Sequence, residues 1–382
     1  PGPPAEGDQA ARSLPGKGAA LMADAPRHEI TPGQLVGFLI SSQLGLGILG
    51  LPRYAVEGLG HAGWWLVLGL GLVSLVGIAL ITSLGGRFRA SIVGINFTVL
   101  GRTWGFLANL LVFLLFWASS LTNLAVYLQT MRIFFFRETP TWVLTAFLVA
   151  PTFYQITKGL KVIARFDTFV YLALFFLLAM MATNVAKAEW SFLFPLTRFR
   201  PENLAGLARA AMGVAFGFLG HELLLVVYPW VEGEARGPAF LAGGVTALIL
   251  TSFTAFAVAF FGESFLSKQV FPLLGIVRTW QAPVVDRLDI YFLMFWLPAM
   301  GAGFTAFLAA AQLVAAELFP RLSYRLLLLL ISGLVSTGAL FLRDFDTAES
   351  VVQMIAAVDF FGLGLALPAL LLALARLKGL GK

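Results

Sequence analysis

Two long apolar stretches of this chain are interrupted by glycine at corresponding points. The first reads Ser41-Ser42-Gln43-Leu44-Gly45-Leu46-Gly47-Ile48-Leu49-Gly50-Leu51-Pro52. The second reads Phe216-Gly217-Phe218-Leu219-Gly220-His221-Glu222, with Pro229 following. The apolar body runs from about Pro32 to Lys378, and Gly47 and Gly220 stand roughly half of that body apart. Broken helices paired across two halves of a membrane chain point to a small-molecule site near the bilayer midplane.

The composition makes a membrane chain unavoidable. Of 382 residues, 59% are hydrophobic and only 12% charged, against about a quarter charged in a soluble domain. Lipid cannot satisfy free backbone groups, so each span has to be a helix or part of a closed barrel. The apolar runs are long and do not alternate, which selects helices. The expected fold is an all-α integral membrane protein of about ten transmembrane helices at roughly 20 residues each. The pattern predicts spans near residues 32–55, 62–84, 106–135, 141–157, 166–185, 207–231, 238–261, 288–318, 323–342 and 351–377, with the first and sixth broken.

Residues 1–26 are rich in Pro, Gly and Ala without periodicity and read as a disordered extension. Met22 is the expected natural start, with a transmembrane domain over 27–382. The net charge of +6 belongs to loop Lys and Arg anchored at lipid head groups. These charges favour an inward N-terminus only slightly. No aromatic-interleaved basic patch suggests nucleic acid.

A break persists in lipid only if protein, water or ligand satisfies the bared peptide groups. The short helix after Gly47 would point its positive N-terminal end at the centre, which suits a carboxylate. Carbonyls freed around Phe216, Gly217, Phe218, Leu219 and Gly220 suit an ammonium. Together these ends match an α-amino acid zwitterion, with Gln43, Gly45, Leu46, Gly47, Ile48 and His221 completing the lining. Tyr127 in the third span and Tyr291 in the eighth are candidates to close the site. Membrane-helix glycines also serve plain close packing; two breaks at matching points, each followed by Pro, favour the site.

Ionisable groups at membrane depth are functional candidates. Glu222 either bonds N–H groups of the broken segment, binds a ligand amine or carries protons. Asp359 is either a packed, hydrogen-bonded acid or a cation relay. Arg53 and Glu57 flank the first break as an entrance gate or an interfacial pair, and Arg287 and Asp289 are expected to pair. With no Cys, disulfides, thiolate zinc sites and Cys nucleophiles are excluded. His221-Glu222 is half of a zinc-protease motif, but position 225 is Leu where a second His is needed. Neither a metal nor a cofactor is expected, nor an enzyme.

On these and further residues the chain resembles the spore germination permease-like family, the B subunit of nutrient germinant receptors, within the amino acid–polyamine–organocation superfamily. The resemblance rests on Thr31-Pro32-Gly33-Gln34-Leu35 leading into Gln43 to Arg53, on Gly159-Leu160-Lys161-Val162-Ile163-Ala164-Arg165-Phe166, and on Gly220-His221-Glu222-Leu223-Leu224-Leu225 with Tyr228-Pro229. Asp286-Arg287-Leu288-Asp289-Ile290-Tyr291-Phe292 with Trp296 completes it. It spans about residues 28–378. It implies a LeuT-type fold of two inverted five-helix repeats, here about 32–185 and 207–377. It also implies a spore inner-membrane location, receptor A and C subunits as partners, and a role in sensing a small germinant, often an amino acid. His221 departs from the family, which usually has an aromatic there. A secondary amino-acid transporter of the same superfamily is the alternative, although the fifth span lacks the Lys of proton-coupled relatives and carries only Asp167 as an ionisable group.

Overall fold

The protein is described from a computed structural model covering residues 30–182, 184–194, 204–279 and 288–381, without the side chains of 176–182, 288–291 and 293. The 1–26 extension, the Arg287–Asp289 pairing and the side chain of Tyr291 therefore lie outside the described residues. The first rod is split into α1 (Pro32–Gln43) and α2 (Gly47–Leu59). Then come α3 (Gly63–Phe88), α4 (Ile92–Phe134), α5 (Thr141–Thr157) and α6 (Leu160–Ala182). The second rod is split into α7 (Leu204–Gly217) and a short run centred on α8 (Leu224–Val227), flanked by 3-10 turns at His221–Leu223 and Tyr228–Trp230. The chain continues through α9 (Arg236–Phe261), α10 (Glu263–Leu266), α11 (Pro272–Arg278), α12 (Leu288–Leu318), α13 (Tyr324–Phe341) and α14 (Phe345–Val358). A π-helical turn at Asp359–Ala366 runs on into α15 (Leu367–Leu377).

Local chemistry sets these ends. Thr31 caps α1: its hydroxyl accepts the Gln34 N–H at 3.3 Å, and the Gln34 side chain accepts the Thr31 N–H at 3.0 Å. Pro32 occupies the first turn, where a missing N–H is harmless. Ser91, Ser323 and Asp344 cap α4, α13 and α14 with a side-chain oxygen that accepts a first-turn N–H. The lead-in from Ile92 to Leu100 is set off from the rest of α4 by a non-helical turn at Gly101, where φ is 82°, a region that favours glycine. The long part of α4 therefore starts just after Gly101, close to the expected Phe106. The lead-in is folded back by Asn96, whose amide donates to Asn109 Oδ1 at 2.7 Å.

Among the described residues six helices are long and apolar enough to cross a membrane, or seven with the pair Leu204–Gly217 and His221–Trp230 taken as one span bent by 55°. Large apolar side chains such as Trp104, Phe147, Phe169 and Phe341 are exposed on the outside, where lipid replaces water. Helix α3 packs along α9 and α4 along α12. Helix α1 rests on α6 as α7 rests on α14, and α2 lies against α7. Each half thus repeats the other's pairings, as an inverted five-helix repeat requires, and the two broken rods are the innermost elements.

Candidate functional site

The breaks fall at Leu44–Leu46 and Phe218–Gly220, and they face each other. A Cβ added to Gly47 would lie 2.6 Å from both the Gly217 Cα and the Phe216 carbonyl oxygen. Only a bare backbone fits there. From the other rod, Gly220 has a φ of 133°, and a Cβ on it would meet Ser42 Oγ at 2.9 Å and Gln43 Cγ at 3.0 Å. Gly45 instead abuts α12, where an added Cβ would lie 2.8 Å from the Ala299 carbonyl. Residues 37–52 and 213–227 are all buried, so the centre is closed to solvent from both faces.

The polar groups freed by the second break are met by its own side chains. The Gly220 N–H donates to the Glu222 carboxylate at 2.9 and 3.0 Å. His221 Nδ1 lies 3.2 Å from Glu222 Oε2 and 3.3 Å from the Phe218 carbonyl. The Phe218 carbonyl can only accept, which suits the tautomer with the imidazole proton on Nδ1. The ring fills a slot between Gly77 of α3 and Gly364 of the π-helical turn, edge-on to Phe360 at 5.1 Å. Asp359 accepts from Ser119 of α4.

The first break is left open in a different sense. No side chain caps the N-terminus of α2. Its uncapped N–H groups carry partial positive charge, and the last carbonyls of α7 lie directly alongside. Leu46 and Ile48 are buried beside this junction, and Leu219 is buried in the opposite break. Phe216 contributes its carbonyl, whereas the Phe218 ring points away toward Gly71 of α3 and Phe360. Tyr127 donates its hydroxyl to the Leu297 carbonyl at 2.7 Å and covers Gly301, which ties α4 to α12.

Arg53 has a partner that the sequence reading missed. Its Nη2 lies 2.6 and 2.7 Å from the two oxygens of Glu349 at the start of the tenth span, whereas Glu57 is 3.9 Å from Nε. Tyr54 donates to the same Glu349 carboxylate. An arginine inside an apolar run demands a carboxylate, and that demand was the available signal; the distance of 296 residues in sequence hid which one. Next to this clamp is a cavity of about 380 Å³ between α2 and α7, lined by Glu57, Ala205, Gly206, Arg209 and Ala210. Among the described residues no group of three or more His, Cys, Asp or Glu could hold a metal ion.

Comparison with known proteins agrees with this architecture. The chain matches the family described as spore germination protein over residues 29–343. It is 24% identical over 271 residues to the spore germination protein GerQB of Bacillus cereus, covering 70% of this chain and 74% of that one. It is 22% identical over 300 residues to the spore germination protein B2 of Bacillus subtilis (strain 168), covering 76% and 80%. The fold is similar to MhsT in complex with L-phenylalanine, with a TM-score of 0.65 and 16% identity over 89% of this chain and 97% of that one. At that identity the likeness carries the LeuT-type fold alone. With most of its length inside the family match, this chain is a multi-pass membrane protein with a permease-like fold and belongs to the spore germination protein family.

Proposed function

We propose that this chain is the germinant-binding subunit of a nutrient germination receptor in the spore inner membrane, working with receptor A and C subunits, and that its germinant is a small zwitterion such as an amino acid. One observation carries the reading. The uncapped N-terminus of α2 lies against the C-terminal carbonyls of α7, which puts an anion-ready and a cation-ready backbone end side by side. The ligand carboxylate would take the N–H groups of Gly47 and Ile48; the ammonium would take carbonyls of Phe216 and Gly217. Gln43, Gly45, Leu46, Phe218, Leu219, Gly220, His221, Tyr127 and Tyr291 would shape the remainder, and Glu222 and Asp359 would hold the second break.

The closed arrangement is one of two that such a sensor needs. Ligand shifts the balance only by binding one arrangement better than the other. The Arg53–Glu349 clamp joins α2 to α14 on one face, so its opening would admit the ligand through the cavity lined by Glu57 and Arg209.

The test uses spores lacking their own receptor and carrying this chain with its A and C partners, exposed to single amino acids. Germination by at least one of them, abolished by Gly47→Val, supports the reading. Uptake of labelled amino acid by vesicles holding this chain alone would replace it with the transporter reading.

A further inference from the structure

Asp167 lies in the middle of the buried stripe of α6, formed with Ile163, Val170 and Leu174 at helical spacing. It is fully buried, and neither carboxylate oxygen has a hydrogen-bond partner among the described residues. The nearest hydroxyls in the contact are already committed. Thr168 Oγ1 donates to the Ala164 carbonyl at 2.7 Å, and Ser41 Oγ donates to the backbone carbonyl of Asp167 at 2.7 Å. Ser41 belongs to the last turn of α1, and Gly37 of α1 touches Thr168 so closely that an added Cβ would lie 2.8 Å from its Cα. Asp167 therefore sits beside the negative end of a half-helix, with backbone seated on backbone around it.

Among the described residues no cation pairs with this carboxylate. Helix α1 contains no titratable residue. On α5 the candidate is Tyr154, which is exposed with Lys158 over its ring. Asp289 and Tyr291 belong to the first turn of α12, and Glu317 near its end is bonded to Ser91. On α6 itself Lys161 and Arg165 are exposed, and Tyr171, one turn beyond Asp167, is half-buried with its ring against Phe175. An ionised carboxylate here would be desolvated, unpaired and next to the carbonyl end of a helix, and each of these disfavours the charge.

The geometry points to Asp167 as an exchangeable proton site that controls the seating of α1. With the acid neutral, α1 packs flat on α6, as observed. When the proton is lost to water, the bare carboxylate has to be hydrated, and α1 lifts from α6 to admit that water. This site is separate from the zwitterion site between the two rods and stands whether or not that site exists.

The full chain, purified into lipid bilayers, provides the test. Infrared spectra at neutral pH are expected to contain the carbonyl stretch of an un-ionised carboxylic acid that disappears in Asp167→Asn. Asp167→Glu, which keeps the acid, shifts that band instead of removing it, so failure of one variant to fold leaves the other decisive. The chain has no Cys, so spin labels at Gly33→Cys and Gly333→Cys, where a side chain meets nothing within 4 Å, report the position of α1. Their separation is expected to change between mildly acidic and alkaline buffer, and to stay at its acidic value at all pH in Asp167→Asn. Absence of the Asp167 acid band at neutral pH overturns the proposal. So does a separation that follows sodium concentration and ignores pH, which would make the site one for a metal cation.

Discussion

Gly47 and Gly217 meet backbone to backbone, with room for no side-chain atom between them. Gly47→Ala forces the rods apart where their freed peptide ends adjoin. Overpacking of this kind costs about 1–3 kcal/mol. Thermal unfolding of the purified protein should register it, and a melting temperature equal to wild type would show that the rods are not held in this contact.

Arg53 and Glu349 form a clamp in which both side chains are largely buried, at 16% and 14% exposure. Replacing either one alone with Ala strands the other charge and is expected to destabilise by about 2–4 kcal/mol. The double variant is expected to lose clearly less than the two single losses added together. Additive losses would mean that the residues do not interact.

The His221 ring occupies the space that a side chain at Gly364 would need. Gly364→Ala is accordingly expected to cost about 1–3 kcal/mol, and most of that cost should vanish when His221→Ala is added. A penalty unchanged by the second substitution would place the ring elsewhere.

Glu222 accepts the Gly220 N–H in the second break. In Glu222→Leu that donor loses its acceptor, at about 1–3 kcal/mol for a buried group left unpaired, whereas His221 Nδ1 keeps the Phe218 carbonyl at 3.3 Å. Glu222→Gln keeps an oxygen acceptor and should retain most of the stability. Equal losses in the two variants, read from denaturation curves, would contradict the bond.

The Thr347 backbone N–H and hydroxyl hold the Asp344 carboxyl below the usual carboxylate range. A depressed folded value means that the cap's contribution is complete above the unfolded carboxylate range and is lost as pH falls through the folded value. Amide exchange in the first turn of α14 should therefore quicken in acid relative to the intrinsic rate. Asp344→Asn, which can still cap, should remove the pH dependence.

Glycine breaks and apolar runs made the two rods readable from sequence, because lipid permits few ways of arranging a backbone. The capping of α1 by Thr31 and Gln34 was equally local. The partner of Arg53 was not, since pairing across the whole chain depends on how α14 is turned. The same applies to Gly77 and Gly364, which are ordinary membrane-helix glycines until the structure puts His221 between them. Asp167 was visible as the lone acid of its span, but only packing shows that its carboxylate has no hydrogen-bond partner among the described residues. The lead-in Ile92–Leu100 was missed because its Asn96 and Thr98 dilute the apolar pattern that marks a span.

Ile30 is hydrogen-bonded on both sides to the far end of the second rod, through Trp230 O at 3.0 Å and the Glu232 N–H at 2.9 Å. The leader of one rod is thereby stitched to the tail of the other. Tension on the leader would be delivered to α8 without crossing the core, so a neighbouring subunit gripping that leader would hold a lever on both rods at once.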